Sequence, residues 1–147
     1  MFEELLRAYL SKTLPHAGAL EGSRLSFSQL LAVVRAVSGN VPVDCWIWQA
    51  IADLNRIRNL LAHETAPGKL SSRIQSYVEL VQASTVPLPS PQSSTGEHAS
   101  MGEHFYAVDM VTMALYYVAA DRLGFNVDTV LGIEAAHSQE LRNRDAI

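Results

Sequence analysis

The fold class predicted by the sequence is all-α, an antiparallel bundle of four to six helices, and three observations predict it. Apolar residues recur at helical spacing in five separate segments. Ser26, followed by Gln29 and an apolar run, has the form of a capping box, which marks the start of a helix. No segment has the alternating pattern of a convincing strand.

The first three helices are delimited by apolar stripes and by residues that start and stop helices. Asp44 is a suitable N-cap for helix three, and Pro67-Gly68 prevents the continuation of that helix. The predicted ranges are 2–14 for helix one, 27–38 for helix two and about 45–63 for helix three.

The second half of the chain alternates helical and loop-forming segments. Helix four is expected at about 69–83, and an exposed loop rich in Pro and Ser at about 85–100. Helix five, at about 103–123, is apolar on most sides and must be covered by its own bundle or by a partner. A weaker helical pattern follows at 128–142.

Length and composition predict a single globular domain over residues 1–147. Hydrophobic residues make up 48% of the chain and charged residues 18%, a balance that supports a buried core. The formal net charge of -4 supplies no general attraction to nucleic acid. Binding of RNA would therefore need a local basic patch.

Localisation is expected to be cytoplasmic. Cys45 is the only cysteine, so no internal disulfide can form, and no signal-peptide pattern opens the chain. The most apolar stretch, residues 110–120, is shorter than the roughly 20 residues that span a bilayer. We therefore expect no membrane contact.

The segment that suggests a function is R-N-L-L-A-H at residues 58–63. On a helical wheel, Arg58 falls at the edge of the apolar face of helix three. Asn59 and His63 are spaced four apart, so Asn59 can orient the imidazole of His63. Arg56 and Trp48 are predicted to lie near the row that these two residues form.

Arg58 and His63 have the residue types needed for phosphodiester chemistry without a metal. Histidine exchanges protons near neutral pH, and an arginine can stabilise the charge that develops on a phosphate. Five residues on an unbroken helix separate two side chains by about 140° and about 7.5 Å. The two side chains meet only if the helix turns near Ala62 or if another subunit completes the groove.

A structural interpretation of the same two residues stays open. The stem of Arg58 can pack on the core edge while its guanidinium reaches solvent. His63 can interact with the negative end of its helix.

The segment L-N-R-I-R-N-L-L-A-H-E at 54–64, preceded by L-S-F-S-Q-L-L-A-V-V-R-A-V at 25–37, resembles the HEPN superfamily of helical bundles. The compatible helical order covers about residues 2–83. The family mark is an Arg, usually followed by a polar residue, with a His four to six positions later, and it matches Arg58, Asn59 and His63. The R-N-L-L-A-H form is similar to the branch that includes proteins like the mannitol operon repressor.

The resemblance implies a helical bundle, dimers through the motif face and, in many members, RNA cleavage at a composite site from two chains. It therefore makes Arg58, Asn59 and His63 the candidate catalytic residues. Toxins paired with nucleotidyltransferase antitoxins usually carry Tyr two positions after the His. Here that position is Thr65, so we discount that toxin assignment.

The function expected from the resemblance is a noncatalytic, dimeric regulatory or interaction module. The alternative is a metal-independent endoribonuclease of the toxin or defence type that uses Arg58 and His63. The partners considered are a second copy of the chain, RNA, and an antitoxin or regulatory protein. We expect no cofactor and no metal, because the spacing of His98 and His104 matches no strong zinc pattern.

Overall fold

The computed structural model describes residues 1–63, 67–85 and 101–126, with the backbone alone for Pro67 and residues 101–106. In these ranges the chain forms α-helices and a short 3-10 helix, and no strand. The all-α prediction is confirmed, and the described helices fall within the predicted four to six. They are α1 (Phe2–Thr13), the 3-10 helix (Ala17–Leu20), α2 (Phe27–Val37), α3 (Trp46–His63), α4 (Pro67–Ser84) and α5 (Met101–Arg122).

The capping box predicted at the start of α2 is confirmed. The backbone N–H of Gln29 donates to Oγ of Ser26 at 3.2 Å, and the N–H of Ser26 donates to Oε1 of Gln29 at 2.9 Å. Two backbone donors that the first helical turn leaves unpaired are thus satisfied.

The starts of α3 and α4 differ from the prediction. The N–H of Cys45 donates to the carbonyl of Pro42 at 3.0 Å, so Asp44 lies inside a turn and α3 begins only at Trp46. The prediction of Asp44 as the N-cap is therefore wrong by one residue. Pro67 opens α4 instead of only ending α3, since the first position of a helix tolerates a residue without an N–H.

The chain forms two compact units. Among the described residues, the first unit comprises 1–48 and 117–126, and the second comprises 49–63, 67–85 and 101–116. The single-domain assignment stays a prediction. The loop expected at 85–100, apart from Thr85, and the helix expected at 128–142 lie outside the described residues.

The first unit buries the predicted stripe of α1 and most of that of α2, although Val37, the last predicted member on α2, is 38% exposed. Helix α1 packs against α2 and the 3-10 helix. The helical spacing of the apolar residues is what allows one face of each helix to be buried. The buried apolar residues of this unit on α1 and α2 are Phe2, Leu5, Leu6, Tyr9, Leu10, Leu30, Leu31 and Val34.

Helix α5 ends in the first unit with a Schellman motif. Gly124 adopts φ +84°. Its N–H donates to the backbone carbonyl of Asp121, and the N–H of Phe125 donates to the backbone carbonyl of Ala120, both at 2.9 Å. The ammonium of Lys12 donates to the carbonyl of Gly124 at 3.0 Å and lies 4.5 Å from the ring centroid of Phe125. A hydrogen bond and a cation–π contact thus join α1 to the end of α5.

The second unit buries apolar residues from α3, α4 and α5. The hydroxyls of Tyr77 on α4 and Thr112 on α5 are hydrogen bonded at 2.9 Å. Burial raises the pKa of Tyr77 to about 12, and the hydrogen bond to Thr112 only partly opposes that shift. The buried apolar residues of this unit are Ala50, Ile51, Ile57, Tyr77, Val81, Val111, Leu115 and Tyr116.

Helix α5 is only partly covered by the chain. Met110 and Met113 remain 39% and 40% exposed. None of the helices in the described ranges combines the length and hydropathy needed to cross a bilayer.

Candidate functional site

The motif lies at the solvent-exposed end of α3. Ile57, 2% exposed, is the last buried residue of this helix, and Leu61 one turn later is 52% exposed. Arg58, Asn59 and His63 are all exposed. The helix therefore continues beyond the core of the second unit for more than one turn, and that extension carries all three candidate residues.

Asn59 and His63 share an open groove of about 310 Å³, which we call the motif groove. Its lining is Arg56, Asn59, Leu60 and His63 from α3 and Arg73 from α4. The four α3 residues are spaced i, i+3, i+4 and i+7, which places them on one face of the helix. No hydrogen bond joins Asn59 to His63, so the predicted orienting contact is not formed.

Arg58 lies outside the lining of the motif groove. The angular separation expected for residues 58 and 63 on one straight helix explains this placement, because α3 continues unbroken to His63. The structure thus brings together Asn59 and His63 and leaves Arg58 on another side of α3. Arg56 and Arg73 are the guanidinium groups that lie beside His63 instead.

A second open groove, of about 380 Å³, adjoins the first, and we call it the α4 groove. Asp53, Lys69, Ser72, Arg73 and Ser76 line it. Arg73 lines both grooves, so the two form one continuous surface.

The surface formed by the two grooves is locally basic although the chain is acidic. Among the described residues that line the grooves, Arg56, Lys69 and Arg73 face one carboxylate, Asp53. That carboxylate accepts a hydrogen bond from Nη1 of Arg56 at 3.0 Å and another from Nε2 of Gln49 at 2.8 Å. This is the local basic patch that anion binding by this chain requires, since the formal net charge is -4.

Lys69 and Arg73 were missed by the sequence analysis. They lie four residues apart on α4, and Ser72 and Ser76 repeat the same spacing, so all four share one helix face. This polar row is a signal that could have been found. Its meeting with the Arg56 face of α3, however, is a tertiary feature that spacing along one helix does not contain.

The prediction that Trp48 belongs to the exposed row is wrong. Trp48 is 3% exposed, and its indole N–H donates to the carbonyl of Pro42 at 2.9 Å. Burial of the large apolar ring with its one polar atom satisfied is the usual arrangement of tryptophan. Trp48 therefore contributes to the core of the first unit and to neither groove.

The chemistry available to the two grooves is anion recognition, with one residue suited to proton transfer. Guanidinium and ammonium groups bind phosphate oxygens strongly, and serine hydroxyls add neutral donors. In residues 1–63, 67–85 and 101–126, no three His, Cys, Asp or Glu side chains are grouped to hold a metal. His98 lies outside these ranges, and the side chain of His104 is not described.

In comparisons with family models, curated proteins and solved structures, the chain has no significant match.

Proposed function

We propose that this chain is a noncatalytic, dimeric regulatory or interaction module of the HEPN type that binds its partners through the exposed end of α3. The observation that carries the proposal is the placement of Arg58 outside the groove that contains Asn59 and His63. A catalytic pair must converge on one reacting group, whereas a binding surface requires only exposure.

The freedom of the motif side chains supports binding over catalysis. No described residue hydrogen-bonds to the side chains of Arg58, Asn59 or His63. Catalytic groups are usually held in place by a surrounding layer of hydrogen bonds and packing. Side chains that no described residue holds in place suit an interface that becomes ordered when a partner binds.

Leu61 supports a second copy of the chain as one partner. It is 52% exposed and lies three residues after Arg58, on the same side of α3. Arginine is enriched in protein interfaces, and an exposed apolar side chain beside it adds surface that association can remove from water. We therefore place the dimer contact on the face of α3 that carries these two residues, which leaves the motif groove open.

Light scattering at micromolar concentration tests the dimer. The expected mass is twice 16.1 kDa, and Leu61→Asp should shift the protein to the single-chain mass. Val43→Asp is the matched control, because Val43 is 60% exposed and lies in the first unit. A wild-type protein that stays at 16.1 kDa would contradict the dimer.

Metal-independent RNA cleavage is the second candidate function, and one observation favours it. His63 shares its groove with two guanidinium groups, so Arg56 or Arg73 can take the electrostatic role that the motif gives to Arg58. In that reaction His63 removes the proton of a ribose 2′-hydroxyl, and the 2′-oxygen attacks the phosphorus. The bond between phosphorus and the 5′-oxygen then breaks, the leaving oxygen takes a proton from water, and a 2′,3′-cyclic phosphate remains.

Cleavage of varied RNAs in the presence of a chelator separates the two functions. The noncatalytic module leaves the RNA intact under conditions where a metal-independent nuclease would release cyclic phosphate. If cleavage occurs, His63→Ala should abolish it and His16→Ala should not, because His16 is an exposed histidine of the first unit. Cleavage that depends on His63 would contradict the noncatalytic function and support the nuclease.

A further inference from the structure

We propose that the α4 groove is a phosphate-binding site and that Arg73 links it to the motif groove. This inference rests on the proposed function, because it takes the exposed end of α3 as a binding surface. The ligand is a phosphoryl group carried by a molecule that extends from the α4 groove into the motif groove. The observation is the common lining residue Arg73 between two open grooves.

The donors of the α4 groove come from one face of one helix. Lys69, Ser72, Arg73 and Ser76 occupy positions i, i+3, i+4 and i+7 of α4 and all are exposed. This face is distinct from the one that buries Tyr77, so rotation of α4 is fixed by its core contacts. The ammonium, the guanidinium and two hydroxyls are therefore presented together.

These donors are not used by the described parts of the chain. No described residue forms a hydrogen bond or an ion pair with the side chains of Lys69, Ser72, Arg73 or Ser76. The lining carboxylate, Asp53, is instead bound by Arg56 and Gln49. Within the described residues, the positive charge of Lys69 and Arg73 therefore has no carboxylate partner and is available to an anion.

Phosphate fits the donor set better than a carboxylate does. A phosphate group has three or more acceptor oxygens, and this groove offers two cationic donors and two hydroxyl donors. The groove volume of about 380 Å³ lies at the lower end of the range for small-ligand sites. A phosphate with an attached sugar or nucleoside therefore fills it better than the free ion.

The shared arginine couples the two grooves. A planar guanidinium can donate to one phosphate through one edge while its other edge faces the neighbouring groove. A ligand that places a phosphate against Lys69 and Arg73 will extend toward Arg56 and His63. The phosphoryl group can come from the 5′-end of an oligonucleotide or from its backbone.

Three probes distinguish these sources in titrations of the full chain at low salt: inorganic phosphate, a short fluorescent oligoribonucleotide with a 5′-phosphate, and the same oligonucleotide with a 5′-hydroxyl. Tighter binding of the 5′-phosphorylated probe assigns the groove to a terminal phosphate. Equal binding of both assigns it to the backbone. Either result supports the site if it depends on Lys69 and Arg73.

Arg73→Gln and Lys69→Gln should each weaken oligonucleotide binding about tenfold, the usual loss for one charge-assisted contact. The slope of log K against log salt should fall by about 0.7 for each cation removed from contact with a single strand. Arg24→Gln is the matched control, because Arg24 is an exposed arginine of the first unit. Circular dichroism verifies that each variant is folded.

The proposal is overturned if no phosphate-bearing probe binds, or if Arg73→Gln and Arg24→Gln bind the probes alike. The mass of the same variants is measured by light scattering, which keeps this outcome separate from the proposed function. Loss of phosphate binding with an intact dimer supports the site. An intact dimer that binds no phosphate-bearing probe contradicts the phosphate site and does not contradict the proposed dimeric module.

Discussion

The phenol oxygen of Tyr77 on α4 lies 2.9 Å from Oγ1 of Thr112 on α5, and the Tyr77 side chain is fully buried. The contact joins two helices of the second unit that are separated in sequence by 35 positions. A buried hydroxyl without a partner would be costly, so this bond favours the arrangement of the two helices that brings the two hydroxyls together.

Removal of the Tyr77 hydroxyl should destabilise the protein moderately. We expect Tyr77→Phe to lower the free energy of unfolding by about 1 kcal/mol, because one hydrogen bond is lost while the ring still packs. Urea denaturation of Tyr77→Phe, Thr112→Val and the double variant measures the coupling between the two residues. Strictly additive effects of the two substitutions would contradict an energetic role for this bond.

Stability should fall at alkaline pH because of the same tyrosine. The pKa of Tyr77 is raised from 10.0 to about 12 on folding, so the folded state holds its proton where the unfolded state has lost it. The contribution is fully present below pH 10.0 and is lost as the pH rises toward 12. We expect a loss on the order of 2 kcal/mol, measured by urea denaturation between these pH values. Tyr77→Phe should remove that part of the pH dependence.

The glycine that ends α5 should be hard to replace. Gly124 has φ +84°, and Gly124→Ala should cost about 1 kcal/mol, since a Cβ is disfavoured in the left-handed region. The added Cβ would lie 3.4 Å from Nζ of Lys12, a flexible group that can shift. Gly39→Ala is the control, because a Cβ there meets nothing within 4 Å. Thermal denaturation should separate the two variants, and equal melting temperatures would refute the expectation.

The capping box of α2 offers a fourth test. Ser26→Ala removes the oxygen that accepts the N–H of Gln29, and we expect a loss of about 1 kcal/mol in unfolding free energy. Ser28→Ala, an exposed serine one position inside the same helix, should change stability much less. If both alanine variants unfold at the same urea concentration, the cap does not contribute.

Features set by neighbours along the chain were predictable. The box of Ser26 and Gln29, the buried stripe of α1 and the end of α3 at His63 all follow from spacing and from the chemistry of helix ends. Features set by tertiary contacts were not. Trp48 lies close to the exposed row on a helical wheel, yet it is buried, and its indole N–H donates a hydrogen bond to the carbonyl of Pro42.

The candidate site shows the same division. Spacing correctly indicated that Asn59 and His63 share a face and that Arg58 diverges from His63. It did not indicate Arg73, because that arginine reaches the motif groove from another helix. Residues on one helix can be related by counting, whereas a groove between two helices depends on how their cores pack.

The hydrogen bond from Lys12 to Gly124 spans 112 positions of the sequence, and this has a consequence for synthesis. The second unit is contiguous, so all of its residues leave the ribosome before Tyr117 does. The contacts of Lys12 with Gly124 and Phe125 must therefore wait while that whole unit is translated, several seconds at about 5–20 residues per second. Helix α1 can pack against α2 early in synthesis, whereas its bond to the end of α5 is among the last contacts that the described chain can form.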